Sequence, residues 1–185
     1  MVRTAVGSGQ SVGGSRSDAT RTCPDAECRL PSANAVLDRV CDPELPFLTI
    51  RELGILRDVG IDGDTLKIVI TPTYSGCPAN DFITLEITTA LTRAGLEPFR
   101  IELARAPAWT TDWITPEGRA KLLDNGIAPP AKAAGKRALF SAEPVVCPRC
   151  GSAETEQISA FGSTACKAHH RCQDCREPFE AFKCL

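Results

Sequence analysis

Apolar positions recur along this chain with a changing period, and the period assigns the elements. Ala33, Val36, Leu37 and Val40 fall on one helical face, so the spacing predicts a helix over 32–41 with Ser32 as its cap. Asp42-Pro43-Glu44-Leu45-Pro46 ends it, because each proline lacks an N–H and restricts the residue before it. The period then drops to two. Residues 54–61 and 66–71 read as strands, with Asp62-Gly63-Asp64 supplying hairpin turn chemistry between them. Residues 78–93 return to a helical pattern, with Phe82, Leu85, Ile87 and Leu91 as its apolar positions, Pro78 at its start and Gly95 as its stop. Residues 99–104 alternate as a third strand, and the strand–helix–strand order predicts that it lies parallel to the second. A short helix over 116–124, opened by Thr115-Pro116-Glu117 and closed near Gly126, follows.

Between and around these elements the pattern fades. Residues 1–30 are mostly Gly, Ser, Thr and Arg at first, with little apolar spacing, and read as a disordered tail. Residues 31–127 make the α/β domain, residues 128–144 are an Ala-, Pro-, Lys- and Gly-rich linker, and residues 145–185 form a second, smaller module. The expected fold class is therefore α+β or α/β, a small mixed sheet with flanking helices. Charge changes the picture only by exclusion. With 21 Lys+Arg against 23 Asp+Glu the net charge is −2, and the second module carries no basic field, which disfavours nucleic acid as a partner. No stretch is apolar for long enough to span a membrane, and the first thirty residues lack a secretory block, so a cytoplasmic protein is expected.

Cysteine usage carries the chemistry. There are 10 cysteines, six of them from Cys147 onward. Cys147-Pro-Arg-Cys150 and Cys172-Gln-Asp-Cys175 are two C-x2-C knuckles, 21 residues apart, that together can close a tetrahedral shell of four thiolates. A structural Zn2+ is the expected occupant, with iron in the same shell as its rival. A β-hairpin over 155–161 and 169–171 fits between the knuckles, which makes the module a zinc β-ribbon, and so small a unit needs its metal to fold. Redox exchange at Cys147-Pro-Arg-Cys150 is disfavoured, because the motif opens no helix after a strand and has a distant partner knuckle.

Cys166 and Cys184 are left over, either as incidental thiols or as ligands of a second, labile metal or cluster. His169 and His170 point to opposite faces of a strand, and surface exposure is the expectation for both. Cys77 stands before Pro78 at the start of a helix, where unpaired backbone N–H groups favour a thiolate that could attack an electrophile or hold a soft metal; the alternative is a small buried residue at a strand–helix junction. Asp42 and Glu44 are either a solvated turn or carboxylates near such a metal. Cys23, Cys28 and Cys41 have no assigned role, and the first two are expected as incidental thiols. Trp109 and Trp113 are expected to pack against the sheet, with a partner-binding patch as the alternative.

Asp42-Pro-Glu-Leu-Pro46 followed by Thr71-Pro-Thr-Tyr-Ser-Gly-Cys-Pro78 resembles the iron–sulfur cluster assembly family that includes SufT. Pro107-Ala-Trp-Thr-Thr-Asp-Trp113, the Cys147 knuckle, Gly162-Ser-Thr-Ala-Cys-Lys167, Cys175-Arg-Glu-Pro-Phe179 and Phe182-Lys-Cys184 narrow this. The combination is similar to the PaaD family, accessory proteins of the bacterial phenylacetyl-CoA epoxidase system of phenylacetate catabolism. The resemblance runs from about Pro31 to Leu185 and implies an iron–sulfur assembly-factor fold with a zinc ribbon appended. It implies a maturation factor and not an enzyme, holding iron or an iron–sulfur cluster transiently at Cys77 with Asp42 and Glu44 as neighbours. Cys166 and Cys184 are second-rank ligands. The implied partners are the oxygenase and reductase components of the epoxidase and the iron–sulfur assembly machinery, and a homodimer stays open. The alternative is a non-catalytic zinc-ribbon adaptor that docks on the oxygenase. His169 and His170 stand where the family pattern leads one to expect apolar or aromatic residues.

Overall fold

Alternation of buried side chains along residues 65–70 builds the centre of a three-stranded sheet. The computed structural model describes residues 26–73, 79–130 and 144–183. In chain order the elements are α1 (Ala26–Leu37), β1 (Cys41–Asp42), β2 (Leu45–Thr49), β3 (Leu56–Asp62), β4 (Thr65–Ile70), α2 (Ala79–Arg93), β5 (Phe99–Leu103), α3 (Pro116–Asp124), β6 (Ile127–Ala128), β7 (Thr155–Ser159), β8 (Lys167–Cys172) and β9 (Pro178–Phe182). β3 and β4 form an antiparallel hairpin in which Asp62 faces Thr65 across a turn whose Gly63 has φ +59°. β5 runs parallel to β4, with Leu66 opposite Phe99 and Ile70 opposite Leu103. Leu66, Ile68 and Ile70 are fully buried on one face, each worth about 1.5–3 kcal/mol in removal from water.

α2 covers this sheet with a stripe at spacing four, Ala79, Ile83, Ile87 and Leu91. That stripe leaves two of the helix's apolar positions outside. Phe82 is 61% exposed and Leu85 58%. Each sits on a different side of the helix from the buried row, so apolar character alone did not place them. α3 agrees with its spacing: Thr115 caps it through the N–H of Gly118, and Gly126 follows its last turn with φ +73°.

The first helix differs from its expected span. It begins at Ala26, inside the expected tail, carries Pro31 within it and ends at Leu37. Ser32 is therefore an interior residue whose hydroxyl donates to the Cys28 carbonyl, and not a cap. Helix geometry tightens over 36–40, where Arg39 and Val40 donate to Val36 and Leu37. Cys41 and Asp42 then leave it for strand pairing with β2. What holds the early turns is Arg29, a buried guanidinium that donates to the carbonyls of Asp64 (2.6 Å), Leu96 (3.1 Å) and Pro98 (2.8 Å).

β6 to β9 form a four-stranded sheet in the order β6-β9-β8-β7. β6 follows α3 directly, yet pairs parallel with the last strand of the cysteine module, Ile127 opposite Glu180 and Ala128 opposite Ala181. Cys166 and Phe182 belong to the same hydrophobic core as Leu37, Ile50 and Trp109. The two modules are thus joined by a shared strand pairing and a shared core. Of residues 128–144, Ala128 lies in β6, and 131–143 fall outside the described residues. Among the described residues no helix is long and apolar enough to cross a membrane.

Candidate metal centres

Each knuckle turns in the same way. Gly151 (φ +77°) and Arg176 (φ +66°), the residues just after Cys150 and Cys175, both take left-handed backbone geometry. This aims backbone N–H groups at sulfur: that of Ser152 at Cys150, that of Glu177 at Cys175, and those of Asp174 and Cys175 at Cys172. The four Sγ atoms of Cys147, Cys150, Cys172 and Cys175 lie within 4.8 Å of one another. Cys147 and Cys175 are 3.8 Å apart, Cys150 and Cys172 3.5 Å. Four thiolates about 2.3 Å from a tetrahedral zinc stand about 3.8 Å apart, so the cage fits the ion. The charges ask for it as well. Backbone N–H groups of Cys175 and Asp174 bring the Cys172 thiol down to about 7. Cys175, despite the N–H of Glu177, is pushed up to about 12 by desolvation and by the neighbouring thiols. A divalent cation removes that conflict by holding all four as thiolates.

A second group of ligand-type side chains gathers where the modules meet. Asp42 Oδ1 accepts the N–H groups of Glu44 (2.8 Å) and Leu45 (3.0 Å), which closes the turn around Pro43. Its carboxyl is buried, and desolvation raises its pKa even against those two hydrogen bonds. Desolvation and then the charge of Asp42 raise that of Glu44. From the ribbon side, the Cys166 thiol stands 3.9 Å from Glu44 Oε2 and 3.0 Å from the Thr164 hydroxyl. Burial, together with the charges of Glu44 and Asp42, pushes the Cys166 thiol up. Lys167 is buried beside them, with its ammonium 2.7 Å from Glu180 Oε2. Pro43 and Glu44 also line a cleft of about 190 Å³ with Ala79 and Phe82 at the start of α2. A larger cleft of about 340 Å³ is lined by Val36, Asp42, Pro46 and Ala90, and shares Pro43 with the first.

Of the expected site residues, Cys147, Cys150, Cys172 and Cys175 come together, and Asp42 and Glu44 come beside Cys166. Cys77 and Cys184 lie outside the described residues, as does Cys23. Cys28, expected as an incidental thiol, is disulfide-bonded. Cys41 is a half-buried free thiol. His170 is not on the surface. It is buried, stacked on Phe179 at 5.7 Å, and its Nδ1 has no hydrogen-bond partner among the described residues. β8 is paired on both edges, so its inward-facing Ala168, His170 and Cys172 are covered. His169 faces the other way, half exposed and 3.6 Å from Glu180. Trp109 is buried and Trp113 carries the Arg57 guanidinium 3.5 Å from its ring centroid. Thr164, Lys167 and Glu180 escaped the sequence reading as site residues. Thr164 and Lys167 flank Cys166 within the Gly162–Lys167 motif, but nothing local marks Glu180.

Two family models match the chain. Residues 33–100 match an iron–sulfur cluster assembly protein family, and residues 131–183 match the PaaD zinc β-ribbon domain. A curated relative from Escherichia coli (strain K12), named as a putative component of 1,2-phenylacetyl-CoA epoxidase, is 49% identical over 152 residues, which is 82% of this chain and 90% of the relative. Among solved structures, a domain of unknown function (DUF59) from Bacillus anthracis has 26% identity and a TM-score of 0.48, covering 52% of this chain and 93% of its own. A conserved hypothetical protein from Thermotoga maritima has 28% identity and a TM-score of 0.44, covering 56% and 98%.

Proposed function

The chain belongs to the PaaD family, and from that premise we propose that it matures a metal centre of the phenylacetyl-CoA epoxidase system, taking up iron or an iron–sulfur cluster and passing it on. Both matched domain types are assembly or accessory modules, so its work is delivery and not turnover. What supports this reading is the contrast between the ribbon cage and the acidic turn at the junction. The ribbon thiols are a closed set of four, suited to a permanent zinc. The Asp42–Glu44 turn is an open set beside a cleft, suited to cargo that must leave. A carrier releases what it binds, and a full tetrahedral cage of thiolates does so poorly.

In this reading Cys77 is the cargo thiolate, the oxygenase and reductase components are the clients, and the iron–sulfur assembly machinery is the source. The compartment in this reading is the cytoplasm, whose reducing environment keeps the ribbon thiols available for metal, while the Cys28 disulfide stands apart from that ligand set. The test is Cys77→Ala in cells expressing the epoxidase. Loss of active oxygenase with ribbon zinc retained is expected, and normal oxygenase activity in that variant overturns the reading.

A second reading, an adaptor docked on the oxygenase, is favoured by the exposed Phe82, Leu85, Ile158 and Phe161. It predicts stable co-purification with the oxygenase and little effect of Cys77→Ala.

A further inference from the structure

We propose that Glu44 and Cys166 are paired ligands of the cargo ion, so that the site is completed across the junction by the ribbon. This deepens the maturation reading and rests on it for the word cargo, though not for the existence of the site. The two residues are 122 positions apart, and only the docking of the ribbon on the β1–β2 turn brings them to 3.9 Å. A thiolate and a carboxylate sharing one tetrahedral ion, with metal–sulfur near 2.3 Å and metal–oxygen near 2.1 Å, stand about 3.6 Å apart. Rotation of the Glu44 side chain is enough to close that gap, since the residue is half exposed and its carboxylate is in no ion pair among the described residues.

The balance of charge points the same way. Asp42, Glu44, Glu180 and the Cys166 thiol gather around a single buried cation, Lys167, and its ammonium is already held by Glu180. Buried acidic groups are ordinarily paired or bound to metal. Here Asp42 is buried with backbone N–H partners only, and Glu44 and Cys166 face each other with a hydroxyl, Thr164, as a third donor 3.0 Å from the sulfur. One soft and one hard donor suit a borderline divalent ion such as Fe2+, Co2+ or Zn2+ over Mg2+ or Ca2+. Glu44 also lines the 190 Å³ cleft, together with Pro43, Ala79 and Phe82.

The experiment uses the full chain, prepared anaerobically with its ribbon filled by one zinc, and titrated with Co2+ alone. The wild type is expected to take up a second ion with the near-ultraviolet absorption of a thiolate bound to Co2+. Cys166→Ser is expected to lose the Cys166 share of that absorption, and Glu44→Gln to keep it while weakening Co2+ roughly tenfold or more. Ribbon zinc and the unfolding midpoint are measured in parallel. Should Cys166→Ser open the junction, Glu44→Gln still decides, because it changes one atom of a half-exposed side chain. Absence of a second ion in the wild type, or wild-type titrations in both variants, overturns the proposal. If Cys77→Ala alone removes the second ion, Cys77 is the ligand and only the junction site falls. If the junction variants lose the ion while Cys77→Ala cells keep normal oxygenase, the site stands and the maturation reading falls.

Discussion

The ring of Phe182, at the end of the last strand of the ribbon, lies 6.1 Å from the indole of Trp109, whose Nε1 donates to the Leu53 carbonyl at 2.9 Å. The contact carries the end of one module into the core of the other. Together with the β6–β9 pairing it makes the ribbon part of the assembly domain's stability.

Phe182→Ala leaves a void in that core and is expected to cost about 3–5 kcal/mol. Urea unfolding followed by the fluorescence of Trp109 and Trp113 measures it. Zinc content is expected to stay at one per chain, since Phe182 lies away from the cage. An unchanged midpoint would show that the modules fold independently.

Chelation of the ribbon ion, or replacement of any one of Cys147, Cys150, Cys172 and Cys175 by Ser, is expected to lower the unfolding midpoint of the whole chain. The cage leaves its thiols in conflict without a cation, and the strands it anchors include β9, which holds β6. Calorimetry with and without chelator reads this. A shift confined to a small ribbon transition would contradict it.

Glu180 and Lys167 set one pH dependence. Burial works to raise the Glu180 pKa, but hydrogen bonds from Lys167 and Ser163 outweigh it and hold the carboxyl below its ordinary value. The folded chain therefore binds fewer protons here than the unfolded chain as the pH falls below that value. This contribution is full above the ordinary Glu value of about 4.3 and is lost as pH falls through the lowered pKa. Glu180→Gln strands the buried Lys167 ammonium and is expected to cost about 3 kcal/mol at neutral pH. Denaturation from pH 3 to 7 should show the wild type and the variant converging toward the acid end.

Asp42 and Glu44 work in the opposite sense. Their raised pKa values mean that the folded chain keeps protons the unfolded chain has released, so both cost stability as pH rises through the carboxylate range. Metal-free Glu44→Gln is expected to unfold at higher denaturant than the wild type at pH 7, with the difference vanishing near pH 4. A destabilised variant at pH 7 would show that the Glu44 charge is compensated.

Arg29→Ala removes three hydrogen bonds to carbonyls of the β3–β4 turn and the stretch before β5. It is expected to cost about 2–4 kcal/mol, because buried acceptors lose a charged donor. Hydrogen exchange should quicken first in α1. Protection equal to the wild type would assign the hold on α1 to Ala33 and Leu37 alone.

Local chemistry along the chain was enough for the β3–β4 hairpin, the parallel return to β5, α3 with its Thr115 cap, and the double knuckle. Each depends on spacing within a few residues or on one crossover, and periodicity reports that directly. The start of α1 was not legible, because what stabilises it is Arg29 reaching carbonyls 35 to 69 residues away. Which of the apolar positions of α2 would be buried was not legible either, since Phe82 and Leu85 stay exposed while Ile87 and Leu91 are covered, and an apolar residue declares a preference for burial and not the partner that would bury it. Tertiary structure alone decided that β6 crosses into the ribbon sheet, that Phe182 meets Trp109, and that Cys166 comes to Glu44. These are pairings between distant segments, set by how whole elements pack, and no local pattern encodes which face will meet which.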